Sequence, residues 1–360
     1  VFTPLAGVLL GDWLGLLWRH GRSIPPRYWA KAAFTTLMAS MNSPVAACER
    51  VRFAQAVERV HVVQPVFILG HHRSGTTHLW NLLGRDGRFV SPTLLEAVFP
   101  HTMLTAVPAM AAPASLMTPS RRPQDNVRLG VDEPIEEERA ICAQCFLSMQ
   151  MARHLPRQRG AFAPYLTMRD ASPAQRDAWR RSLDTFARKL LVRAGGGTVL
   201  FKSPDHTGKI ALIREVYPDA RLVFIHRDPY EVFASTRRME RATLPLYQYQ
   251  RPRADTLDEF ILWRYRAMHE AYLEDRDRLP WGTLVEVAFD SLREDPMGEV
   301  RRIYDELGLG GFEAMRGALE RYVRSLAGYR MNRYPPLDDA TRRRVASAWD
   351  LGFEAWGYAR

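Results

Sequence analysis

Short apolar runs alternate with helix-length amphipathic segments along most of this chain. PVFILG (65–70) is opened by proline and closed by glycine, and TVLFK (198–202), RLVFIH (221–226) and LVEVAF (284–289) have the same form. Runs of this length between turn residues predict buried strands. Helical segments follow them: one after Gly75, one from about His206 to Val216, one from Pro229, and one closing at Leu307-Gly308. Ser172-Pro173-Ala174-Gln175 places Ser at a helix cap, Pro at the first helical position and Gln at the capping-box position, so a helix should run from there to Gly195. Asp132 to about His154 and Leu257 to Asp277 also read as helical. Residues 97–130 read as irregular, and residues 1–62 as helical with turns at Ser23–Pro26 and Asn42–Pro44. Strand, loop and helix in repetition predict an α/β fold of three layers, P-loop-like, with a mainly parallel central sheet and ligands at the carboxyl ends of its strands. The expected organisation is a core at 63–310 with a helical insertion at 97–195, an N-terminal helical extension at 1–62 and a C-terminal helical segment at 311–360.

Composition narrows the class. Of 360 residues, 46% are apolar and 25% charged, as in globular proteins, and three cysteines exclude a disulfide scaffold. Cys142 and Cys145 form a lone CxxC in a helical pattern and read as core, with no metal expected. No stretch reaches ~18 uninterrupted apolar residues, which excludes a multi-span membrane protein. The net charge of +10 points to anionic partners, but no run of five like charges exists, so nucleic acid is not expected. Only four of the fifty basic residues are lysine, and two of these, Lys202 and Lys209, share the segment LFKSPDHTGK. The N-terminal VFTPLAGVLLGDWLGLLW is broken by Pro4 and Asp12 and followed by Arg19, His20 and Arg22, unlike a secretory leader. It reads as helices packed on the domain or, more sharply, as an interfacial segment touching lipid or shielding an apolar substrate. A cytoplasmic location with membrane association through this segment is the expectation.

The chemistry concentrates at Gly70-His71-His72-Arg73-Ser74-Gly75-Thr76-Thr77, a loop between a strand and a helix. Backbone N–H groups, the helix dipole and hydroxyls can converge there on an anion. The G-x-x-x-x-G spacing is that of a Walker A loop, but Thr76 stands where its lysine should be. A site without that lysine is poorly equipped for a magnesium nucleoside triphosphate. His226-Arg227-Asp228 opens like a kinase catalytic loop, but Pro229 and Phe233 break that pattern, so Asp228 reads as a helix cap.

VFILGHHRSGTTHLWNLL resembles the 5′-phosphosulfate loop of the PAPS-dependent sulfotransferases, where PAPS is 3′-phosphoadenosine 5′-phosphosulfate; it is similar to the bacterial branch, and its arginine form also resembles the tyrosylprotein sulfotransferases, whose base is a Glu some twenty residues past that arginine. LVFIHRDPYEVFAST resembles the family's 3′-phosphate segment, with Arg227 and Ser235 at the family's spacing, and LVEVAFDSLREDPMGEVRRIYDELGL resembles its closing strand and helix. The resemblance implies PAPS as sulfonate donor, no metal, and an acceptor hydroxyl on a small molecule or lipid, a lipophilic alcohol or phenol. It implies that Arg73, Ser74, Gly75, Thr76 and Thr77 hold the 5′ end. His78 stands where cytosolic members have Trp. Arg227 and Ser235 would hold the 3′-phosphate, and Lys202 and Arg73 would neutralise the leaving oxygen. The cytosolic family's catalytic His position is Pro204 here, so two residues compete for the base: Glu96, 23 positions after Arg73, and His206. The family's Arg-Lys-Gly loop is not found; AGYRMNRY (327–334) occupies the corresponding region. A P-loop nucleotide kinase and a non-catalytic basic membrane-surface protein are the alternative readings.

Overall fold

A computed structural model describes residues 4–117, 130–131, 133–253, 256–327 and 335–360. The chain forms two compact units: one comprises residues 1–62, 91–196 and 241–254, the other 63–90, 197–240 and 255–360.

The second unit contains a five-stranded sheet of β1 (Val66–Leu69), β2 (Phe89–Val90), β3 (Thr198–Lys202), β4 (Arg221–His226) and β5 (Leu284–Ala288). Every pairing is parallel and the order is β2-β3-β1-β4-β5. The period-two alternation of the strands sorts their side chains by chemistry. Val66, Ile68, Val223 and Ile225 face one side, with Val285 and Val287, and pack against Leu79, Leu82, Ile303 and Leu307 of covering helices. Phe67 and Phe224 face the other side, where Phe224 stacks on Tyr272 at 3.9 Å and Phe67 lies 5.5 Å from Phe201. Burial on both faces is why the strands read as continuous apolar runs. The sheet is therefore the middle of three layers, as the sequence predicts. β2, only two residues long, is an addition to that prediction.

The first unit is helical. Its N-terminal part is α1 (Leu10–His20) and α2 (Trp29–Arg59). α2 runs without interruption through Pro44, which corrects the turn expected at Asn42–Pro44. Pro44 is exposed, and Asn42 points inward, where its amide donates to the carbonyl of Ala6 at 2.8 Å. A buried anchor on one side and water for the freed carbonyl on the other let the helix continue. Two more expectations change. A helix at Ala106–Met117 lies within the stretch read as irregular, and the helix expected to reach His154 is the shorter Glu138–Cys145, stopped at Phe146 with φ +58. The helix Pro173–Ala194 matches its prediction closely, with the Ser172–Gln175 capping box formed and Gly195 left-handed at its end.

Candidate functional site

The phosphate-loop geometry is built by backbone bonds within the second unit. Gly70, at the end of β1, has φ +134; a Cβ there would lie 2.4 Å from the carbonyl oxygen of Ile225. Gly75, at φ +108, opens α3 (Thr76–Leu83), and a Cβ on it would fall 2.4 Å from the Phe289 ring. The Gly70, His71 and His72 carbonyls each accept a hydrogen bond from a neighbouring side chain. Thr207 Oγ1 accepts from Gly70 N–H at 2.8 Å and donates to Gly70 O at 3.2 Å. Ser74 donates to His71 O through both Oγ and N–H, at 2.8 and 3.1 Å, and Thr236 Oγ1 donates to His72 O at 3.3 Å. His78 and Leu79 N–H close the first turn of α3 on Gly75 O at 2.9 and 3.1 Å, which leaves the Thr76 and Thr77 N–H groups ahead of any intrahelical acceptor. With the Gly70, His71 and His72 carbonyls occupied elsewhere, the Thr76 and Thr77 N–H groups at the positive end of α3 suit an anion.

Arg73 sits in this loop with a left-handed backbone, φ +74, and its Nε donates to Ser235 Oγ at 2.9 Å. Ser235 lies in the helix Pro229–Tyr247 that follows β4. The arginine loop and the Arg227–Ser235 segment, read separately in the sequence, thus meet side chain to side chain. Arg227 leaves the end of β4, packs over the Phe289 ring at 4.3 Å and pairs with Glu231. Lys202 ends β3 and is buried, its Nζ 4.9 Å from the Trp80 ring centroid. The ammonium lies over an aromatic face at the carboxyl end of β3, the end of a parallel sheet where ligands bind in such folds. His78 lies in the first turn of α3, where burial lowers its pKa.

The three linked segments are covered by a family model. The description "Sulfotransferase family" matches residues 65–313. The chain belongs to the sulfotransferase family. Two curated relatives, from Mycobacterium bovis and Mycobacterium tuberculosis, are each named omega-hydroxy-beta-dihydromenaquinone-9 sulfotransferase; each is 31% identical over 99% of this chain and 92% of its own length. Among solved structures, a sulfotransferase of Mycobacterium tuberculosis H37Rv matches with TM-score 0.66 at 17% identity, over 94% of this chain and 91% of its own. One from Mycobacterium avium matches with TM-score 0.68 at 19% identity, over 87% and 81%. At those identities the two structures speak for the fold.

The two base candidates of this sulfotransferase have different surroundings. Glu96 lies in α4 (Leu94–Val98) of the first unit, where its Oε2 accepts from Thr93 N–H at 2.8 Å as half of a capping box, and its Oε1 pairs with Arg193 Nε at 2.9 Å. The Thr-x-x-Glu spacing of Thr93 and Glu96 is the sequence signal for that cap. His206 lies in the 3-10 turn Pro204–Lys209 of the second unit, completely buried, with its ring 5.8 Å from Phe67.

Behind the loop is a charged group the sequence reading missed. His72 Nε2 is 3.6 Å from Asp205 Oδ1. Burial pushes the Asp205 carboxyl up, but His72, Arg264 and Lys209 outweigh it and hold the group well below the usual carboxylate range. Arg264 also faces Glu240 at 3.8 Å. His71, buried against Tyr265, is kept neutral by burial and then by Arg264. The His71-His72 doublet and Asp205 in KSPDH were the available signals. Residues 328–334 of the AGYRMNRY segment lie outside the described residues. Among the described residues, no group of three or more His, Cys, Asp or Glu side chains could hold a metal ion, and no helix is long and apolar enough to cross a membrane.

Proposed function

We propose that this sulfotransferase moves a sulfonate from PAPS to the hydroxyl of a lipophilic alcohol. The observation that carries the donor assignment is the Arg73–Ser235 contact, which joins the 5′ and 3′ anion-binding segments into one cradle. The residues fit such a donor: free helix N–H groups and Thr76 and Thr77 hydroxyls toward the 5′ end, and Arg227 and Ser235 toward the 3′-phosphate. When bound, PAPS supplies an activated sulfonate whose S–O bond to the 5′-phosphate breaks as the acceptor oxygen bonds to sulfur.

The chain's own residues then have three tasks. Arg73 and the α3 terminus hold the anion in line with the acceptor. Lys202, compact and buried, neutralises charge growing on the bridging oxygen. Glu96 is the base assigned to the acceptor's proton. Glu96 is preferred to His206 because the latter's ring is enclosed, with no surface for a hydroxyl to approach.

A lipophilic acceptor is supported by the curated relatives, whose name specifies a hydroxylated dihydromenaquinone.

Calorimetric titration with PAP, the desulfonated product, and with ATP–Mg tests the donor. PAP should bind and ATP–Mg should not; preference for ATP would return the kinase reading. Transfer from radiolabelled PAPS into total lipid and polar extracts tests the acceptor. Label should enter the lipid fraction, and label confined to the polar fraction would exclude a lipophilic alcohol.

A further inference from the structure

α2 is amphipathic the wrong way round. Its buried stripe is Thr35, Ala39, Asn42, Ala46 and Glu49, small or polar residues, while Phe34, Leu37, Met41 and Val45 stand 37–58% exposed. The spacings of three and four residues put those four on one face. A soluble helix free to choose would turn that face inward.

It is not free to turn. Thr35 Oγ1 hydrogen-bonds Tyr249 Oη at 2.7 Å, and Asn42 donates to Ala6 O. Glu49 Oε2 accepts from Leu104 N–H, Thr105 N–H and Thr105 Oγ1 at 2.7–2.9 Å, and its other oxygen pairs with Lys189. Rotating α2 to hide the apolar face would break all of these and leave a carboxylate and an amide buried without partners. The polar anchors fix the apolar stripe outward.

Charge says what covers it. From Trp13 to Cys48 there is no Asp or Glu, while Arg19, Arg22, Arg27 and Lys31 lie in that stretch. Lys31 is spent internally on the carbonyls of Leu246, Tyr247 and Gln248. Arg27, just before α2, and Arg52, seven residues past Val45 on the same helical face, are exposed and bracket the stripe. An apolar strip bounded by guanidiniums on long stems, and without acids, matches the boundary of an anionic bilayer: apolar side chains among the acyl chains, arginines at the phosphates.

We infer that the outer face of α2 docks this enzyme on an anionic phospholipid surface, with Phe34, Leu37, Met41 and Val45 inserted and Arg27 and Arg52 at the headgroups. The inference gives the proposed lipid-soluble acceptor a route to the enzyme but is read without donor or acceptor, so its failure leaves the proposed reaction standing.

The test is flotation of the full chain with vesicles of phosphatidylcholine plus phosphatidylglycerol, against phosphatidylcholine alone. The protein should float with the mixed vesicles and be released by salt. Leu37→Ser with Met41→Ser should weaken partitioning by about tenfold, and Arg27→Ser with Arg52→Ser by roughly tenfold. Both pairs are on the surface, so melting temperature and PAP affinity should not change. Absence of flotation, or unchanged flotation of both double variants, overturns the inference. So does a dimer in sedimentation that Leu37→Ser with Met41→Ser dissolves, which would make a second copy the occupant.

Discussion

Arg73 Nε donates to Ser235 Oγ at 2.9 Å, linking the loop after β1 to the helix after β4. One guanidinium is thereby oriented by the segment expected to hold the other end of the donor. Ser235→Ala should weaken PAP binding, and Arg73→Lys should do so more, because an ammonium cannot keep the serine and grip an anion in the guanidinium's geometry. Each loss is expected in the range of about 1.5–3 kcal/mol for a hydrogen bond involving a charge. Calorimetry on both single variants and the double variant should show less than additive losses. Additive losses would mean the contact does not organise the cradle.

Gly75→Ala should damage the loop from two directions. The backbone is left-handed at φ +108, and the added methyl would sit 2.4 Å from the Phe289 ring. Strain and overpacking together should cost on the order of 2–5 kcal/mol. Thermal melting with and without PAP would show it as a lower melting temperature and a smaller shift on ligand addition.

The base assignment separates by two substitutions. Glu96→Gln keeps the Thr93 cap but cannot accept a proton, so turnover should fall by roughly 10²–10⁴-fold with PAP affinity unchanged. His206→Ala should instead act through packing, lowering stability with a smaller effect on rate. Steady-state turnover beside a denaturant midpoint for each variant reads both. An active Glu96→Gln with a dead His206→Ala would reverse the assignment.

Acid should unfold this protein before carboxylate titration begins. His71, His154 and His269 are buried and neutral; burial is the leading cause in each, and it takes His154 down to about 3 and His269 to about 4. The unfolded chain binds protons near 6.5 and the folded chain does not, so stability is full above that pH and declines as pH falls through 6.5 toward 4. Each fully linked imidazole contributes a slope of up to about 1.4 kcal/mol per pH unit. Urea midpoints measured from pH 7.5 to 5 should fall steadily; a flat profile would mean these rings charge in the fold.

The strands were legible because each is a continuous apolar run closed by turn residues, a pattern a sheet buried on both faces requires. β2 was not, since two residues carry no periodicity. Pro44 was read as punctuation because the anchor that overrides it, Asn42 on Ala6, is a tertiary contact. The stop at Phe146 was hidden because a non-glycine residue took the left-handed cap. In the site, Arg73 and Ser235 were each visible from local spacing. The pairing of His72 with Asp205 was not, because it depends on β1 and β3 lying side by side. Glu96 was visible as a lone acid in an apolar segment, but its engagement with Arg193 comes from the far end of another helix.

The left-handed backbone of Arg73 sets endurance against use at a single residue. Glycine would relax that conformation, so Arg73→Gly should leave the empty protein as stable as before or more so, by about 1 kcal/mol. The same change removes the guanidinium from the proposed anion cradle. A screen for heat resistance alone would therefore drift toward losing this side chain, and only a screen that also demands sulfonate transfer would keep it.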